Sequence, residues 1–120
     1  MTEDEAADFA RRWVNAWNDH DVEDVLSHFA NDVLFTSPVA AKVVPASHGV
    51  IHGKEPLRRF WNEAVRHNTG LHFELVGVYS GVETLVIRYR NQEGADRCEV
   101  LTFSAGLVQT GHGTFLTADN

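Results

Sequence analysis

The chain has one cysteine, three prolines, one methionine and only 10 Lys and Arg residues against 17 Asp and Glu. With Cys98 alone, an internal disulfide is excluded, and the thiol usage fits a reducing compartment. A formal charge of −7 argues against a nucleic-acid partner, because phosphates demand clustered Lys and Arg. No stretch approaches the length of apolar chain that spans a bilayer. The first residues, Glu3, Asp4, Glu5 and Asp8, are acidic where a secretory leader would be basic and then apolar. A soluble, cytoplasmic protein with no membrane segment is therefore expected. Glycine-rich phosphate loops and dinucleotide fingerprints are also missing. Ser37 lacks the G-x-S-x-G setting of an activated serine.

What is present is enough for one folded unit. The 120 residues, 43% of them apolar, suit a single core with no room for a second. Phe9, Trp13 and Trp17 recur every fourth residue with Ala6, Ala10 and Ala16 beside them, which predicts a helix from about Glu3 to Asn18. Asp21 is placed to cap a second helix that buries Val22, Val25, Leu26 and Phe29. Val33, Phe35 and Ser37 then alternate with Leu34 and Thr36 as a short strand stopped by Pro38. Val39 to His52 has no period and reads as a loop over a cavity mouth, with a turn of helix around Ala40. A third helix carries Pro56 in its first turn and Leu57, Phe60, Trp61, Ala64 and Val65 on one face, and ends at Asn68 and Gly70.

From Leu71 the period changes to two. Strands are expected at about 71–80, 83–91, 97–104 and 107–116, joined by Ser80-Gly81, Glu93-Gly94 and Ser104-Ala105-Gly106. Helices followed by an antiparallel meander make an α+β fold. A two-residue turn at Glu93-Gly94 sets Arg88 opposite Glu99 on one face, with Val86, Leu101 and Phe103. Leu85, Ile87, Tyr89, Cys98, Val100 and Thr102 take the other face, where a second subunit would cover Ile87, Tyr89 and Val100. Arg88 and Glu99 are either an interior pair that polarises a ligand or an ordinary sheet salt bridge.

The order of Trp17 to Pro38, then Ile51-His52-Gly53-Lys54-Glu55-Pro56-Leu57-Arg58-Arg59-Phe60-Trp61, and the closing Gly113-Thr114-Phe115, resembles the nuclear-transport-factor-like cone fold. That superfamily includes SnoaL-type polyketide cyclases and ketosteroid isomerases, and the resemblance covers nearly the whole of residues 1–120 as one SnoaL-like domain. It implies a curved antiparallel sheet wrapped around N-terminal helices, enclosing a conical pocket. Around that pocket it sets Trp13, Phe29, Phe35, Ser37, Trp61, Arg88, Glu99 and Phe115. The general-base aspartate of the ketosteroid isomerases falls on Ser37, the oxyanion-hole tyrosine on Trp13 and the second donor on Glu99. Serine is no base at neutral pH without activation, so that catalytic set is not retained.

The expected ligand is a hydrophobic carbonyl compound, with Glu99 and Arg88 as catalytic groups. Trp13, Phe35, Ser37, Trp61, His72 and Phe115 would bind it, and neither cofactor nor metal is expected. SnoaL-like cyclases, which the chain also resembles, use an Asp/His pair; here His72 or His112 with Glu99 would play those parts. Strand parity sets His112 opposite the pocket. His48 and His52 are four apart in a loop, without helical metal-site geometry. Cofactor-free isomerisation, cyclisation, dehydration or hydration is one expected function. A ligand-binding or interaction module, dimeric through the open sheet face, is the other.

Overall fold

A capping box starts the chain's first regular element. Glu5 N–H donates to Thr2 Oγ1 at 3.1 Å, and Thr2 N–H donates to Glu5 Oε1 at 2.8 Å. The helix that follows, α1 (Glu3–Asn18), buries Ala6, Ala10, Trp13, Val14, Ala16 and Trp17 along one stripe. These coordinates are a computed structural model that describes residues 1–117. Asp21 caps α2 (Val22–Leu26) as expected, its Oδ1 accepting from Asp24 N–H at 3.0 Å. Phe29, however, does not close that helix. It opens β1 (Phe29–Thr36), four residues before the alternation becomes readable. A register shift between Phe29 and Leu34 leaves Asn31 and Asp32 both exposed, so the period of two is broken in the first half of the strand.

Pro38 ends β1 and also begins a helix. Ser37 Oγ accepts from Val39 N–H at 3.1 Å, and Pro38 occupies the first turn of α3 (Pro38–Val43). A 3-10 turn at Pro45–Ser47 and the short β2 (Val50–His52) complete a segment expected to be loop. Only one turn of helix near Ala40 is foreseeable there, because β2 owes its existence to pairing with β1. Helix α4 (Lys54–His67) buries Leu57, Phe60 and Trp61 and is capped by Asn68.

The meander comprises β3 (Glu74–Gly81), β4 (Thr84–Arg90), β5 (Asp96–Ser104) and β6 (Leu107–Phe115). With β1 and β2 these form a curved six-stranded sheet in the order β2-β1-β6-β5-β4-β3. All neighbours are antiparallel except β1 and β6. Leu26, Leu57, Leu85, Ile87, Leu101 and Val108 are fully buried in the core between helices and sheet. Among the described residues no helix is long and apolar enough to cross a membrane.

Candidate functional site

The sheet curls over α1 and α4 and leaves an open-mouthed cavity of about 910 Å³. Its wall is aromatic: Trp13, Trp17, Phe35, Trp61, Phe73 and Tyr89. The rings hold one another. Phe73 lies 4.3 Å from Tyr89 and stacks on Trp13 at 5.6 Å, and Trp61 meets Trp17, Phe29 and Phe35 edge-on at 5.0–5.4 Å. Val39 and Val43 of α3, with Val44 just after it, stand at the mouth. A smaller chamber of about 160 Å³ adjoins the first and shares Ser37, Phe73, Tyr89 and Glu99 with it.

Glu99 is the one charged-type side chain buried among the described residues, at 7% exposure. The register Ile87–Glu99–Gly113 fixes it on the inner face. Gly113 is what gives it room, since a Cβ there would stand 3.2 Å from Glu99 Oε1 and 3.6 Å from Ser37 Oγ. No hydrogen bond from a described residue reaches the carboxyl, and burial alone pushes it up to about 8. At neutral pH it is therefore mostly protonated and able to donate. Tyr89, 8% exposed, is the neighbouring polar group. Burial first, and then the charge Glu99 would carry, push its phenol upward. Two proton donors thus face an apolar cavity without internal partners.

Arg88 does not join them. The turn after β4 is one residue longer than two: Asn91 N–H bonds Ala95 O at 3.0 Å across Gln92-Glu93-Gly94, with Gly94 at φ +76°. Adding one residue to a hairpin turns every later side chain to the other face. Arg88 is opposite Cys98, and Ile87 is opposite Glu99. On the outer face Arg88 grips Asp96 with two bonds, Nε to Oδ1 at 3.0 Å and Nη2 to Oδ2 at 2.8 Å, which holds the Asp96 carboxyl below its usual range. The same shift brings Ile87 and Tyr89 inside, so these two are not residues that a second subunit would cover. Val100 remains on the outer face. Arg88→Ala is expected to leave ligand binding unchanged and to shift the thermal unfolding midpoint little, because an exposed ion pair contributes little to stability.

His72 lies outside too. It is exposed in the segment before β3, where its N–H donates to Gln92 Oε1 at 3.3 Å, and Glu74 is likewise exposed. The inward place goes to Phe73. Asn18 clamps that residue's backbone from both sides, Nδ2 to Phe73 O at 2.9 Å and Phe73 N–H to Oδ1 at 2.7 Å. His112 is on the outer face as its parity predicts, hydrogen-bonded through Nδ1 to Thr36 Oγ1 at 2.6 Å. Neither histidine meets Glu99, so the Asp/His arrangement is not assembled. Trp13, Phe35, Ser37 and Trp61 do line the cavity. Phe115 sits at the rim of the smaller chamber, 42% exposed. Among the described residues no group of three or more His, Cys, Asp or Glu side chains is arranged to hold a metal ion.

The sequence reading missed Phe73, Tyr89 and Arg97 as lining groups. Asn91 was the available signal. Its Oδ1 accepts from both Glu93 N–H and Ala95 N–H at 3.0 Å, an Asx turn that belongs to a loop longer than two residues.

The model of the SnoaL-like domain matches residues 10–111. The chain belongs to the SnoaL-like domain family. This family lies within the nuclear-transport-factor-like superfamily, which includes isomerases and polyketide cyclases. A SnoaL-like protein of unknown function from Burkholderia thailandensis E264 is 32% identical over 98% of each chain, with a TM-score of 0.92. A putative ketosteroid isomerase from Kribbella flavida DSM 17836 is 16% identical over 98% of this chain and 82% of its own, with a TM-score of 0.73. TerC, co-crystallised with polyporic acid, is 15% identical over 92% of this chain and 91% of its own, also at 0.73. The last two likenesses establish the fold alone. No curated protein matches the chain.

Proposed function

We propose that this SnoaL-like protein takes a hydrophobic carbonyl compound into the aromatic cavity and acts on it by cofactor-free acid–base chemistry. The observation that carries this reading is the buried, unpartnered Glu99 carboxyl facing an apolar chamber large enough for a polycyclic ligand. As a neutral acid it donates to the ligand's carbonyl oxygen, with Tyr89 as the second donor. Charge developing on that oxygen is stabilised more strongly in a dry, low-dielectric site than in water. A carboxyl poised near 8 also exchanges its proton readily at working pH, which suits isomerisation, cyclisation, dehydration or hydration. TerC, of similar fold, was crystallised with polyporic acid, in keeping with an aromatic oxygenated ligand class.

The test is a thermal-shift screen against ketones, lactones, steroids and polyketide-like acids. A ligand at about 100 times its Kd should add roughly 2.7 kcal/mol to the wild type. Glu99→Gln keeps an N–H donor but no transferable proton, so it should retain binding and lose turnover. Glu99→Leu should lose both. Binding indifferent to both substitutions would sink the assignment. Binding that needs the donor, with no turnover for any ligand, would favour the second reading, a ligand-binding module. We also propose that the outer sheet face around Val86, Val100 and His112 pairs with a second copy. Sedimentation as a monomer at high concentration would refute this.

A further inference from the structure

The smaller chamber differs from the aromatic one in what its rim offers. Its charged lining residues are Arg97 and the buried Glu99. The register Tyr89–Arg97–Phe115 puts Arg97 on the inner face, beside the tyrosine that both chambers share. Its guanidinium carbon lies 3.7 Å over the centre of the Phe115 ring, and Nη1 donates to Asp96 O at 3.1 Å. The head group is thereby oriented before any ligand arrives. The nearest acid in sequence makes no ion pair with it, because the Asp96 carboxylate lies on the outer face and is held by Arg88. Among the described residues no carboxylate forms an ion pair with Arg97.

Two amides on the same rim add to this. Asn91 Oδ1 is taken by the N–H groups of Glu93 and Ala95, and Gln92 Oε1 by that of His72. With their oxygens engaged, these side chains have only N–H groups left to offer. The rim is therefore rich in donors and carries one cation, in a protein whose net charge is −7. The rim of the larger mouth is mixed by comparison, with Arg59, Glu63 and His67 together.

We infer that Arg97 is an anion subsite, and that the ligand is an aromatic carbonyl compound bearing a carboxylate or an ionised enol beyond the oxygen that Glu99 meets. This rests on the reading of the cavity as a ligand pocket. It adds substrate class: acidic, polyketide-like molecules are favoured over neutral ketones and steroids. The apolar body occupies the aromatic wall, and the acidic end emerges between Arg97, Asn91 and Gln92.

Acetylnaphthalene and acetylnaphthoic acid share a ring and a ketone and differ only in the carboxylate, so titration calorimetry with both isolates the subsite. The wild type should bind the acid at least about tenfold more tightly than the neutral ketone, as a charge-assisted hydrogen bond warrants. That advantage should shrink as salt is added. Arg97→Gln should abolish it, Arg97→Lys should keep part of it, and Arg59→Gln should not alter it. Arg97 sits half-buried on the rim, and a circular dichroism melt of each variant checks that it is folded. Equal binding of the two compounds by the wild type overturns the subsite and leaves the pocket reading standing. An acid preference that survives Arg97→Gln, or that disappears with Arg59→Gln, overturns it as well. If neither compound binds the wild type, the pocket reading and the subsite fall together.

Discussion

Glu99→Gln is expected to become progressively more stable than the wild type as pH rises from about 4.5 to about 8. Burial raises the folded-state pKa of Glu99 from its ordinary 4.5 to about 8. A raised carboxyl binds its proton more tightly when folded than when unfolded. Its contribution to stability is fully present below pH about 4.5 and is lost as pH climbs through about 8. The loss runs at up to about 1.4 kcal/mol per pH unit, on the order of 5 kcal/mol over the whole window of about 3.5 units. Glutamine has the same shape and no proton to lose, so the variant lacks this slope. The carboxyls of Glu5, Glu23, Glu63 and Asp96, all held low by hydrogen bonds, titrate the opposite way below that window and are common to both proteins. They cancel in the comparison. At about 4 °C per kcal/mol for a chain of this length, the two melting temperatures should differ by roughly 20 °C at about pH 9. Melting curves that stay parallel from pH 4 to 9 would mean that Glu99 ionises like a surface carboxylate, and the proton-donor role would go with it.

The second large effect concerns Trp61, which the sequence reading assigned to the ligand-binding wall. The ring is 5% exposed and meets Trp17, Phe29 and Phe35 edge-on. Through these rings α4 touches both α1 and β1. Trp61→Ala removes the shared partner of three aromatic rings and joins the resulting hole to the cavity. A loss of about 3–5 kcal/mol is expected in chemical denaturation, with Trp61→Phe recovering more than half. Trp17 adds to the sensitivity: its Nε1 is buried with no hydrogen-bond partner among the described residues, so its place depends on packing. A drop under about 1 kcal/mol would show that Trp61 is a removable wall and no part of the core.

Most of the architecture was legible because it is written in local chemistry. The stripe on α1, the Asp21 cap and the change from helical to two-residue period all act within a few residues of where they are read. The misreadings share a different cause. β2 is extended because the second half of β1 offers it hydrogen bonds, and the first half of β1 because β6 does, including Val108 N–H to His28 O at 2.8 Å, which no local pattern announces. The resemblance put Arg88 and His72 inside; a single extra turn residue turns Arg88 outward, and the Asn18 clamp gives the inward place to Phe73 instead of His72. Glu99 was recoverable all the same. Its inward position came from the family resemblance, whereas the register argument that paired it with Arg88 was one residue out. Tyr89 was lost for that reason.

The centre of the sheet joins chain segments made at very different times. β1 is finished early in synthesis, yet its parallel partner β6 is the last strand of the domain to emerge. Until then β1 can pair only with the three residues of β2, and Phe29 and Phe35 have no closed cone to enter. Pairings this distant in sequence form slowly, on the order of milliseconds to seconds, and an open apolar strand edge is a hazard while it waits. The helices can form on the ribosome, but the cone cannot close until Leu107–Phe115 has left the exit tunnel.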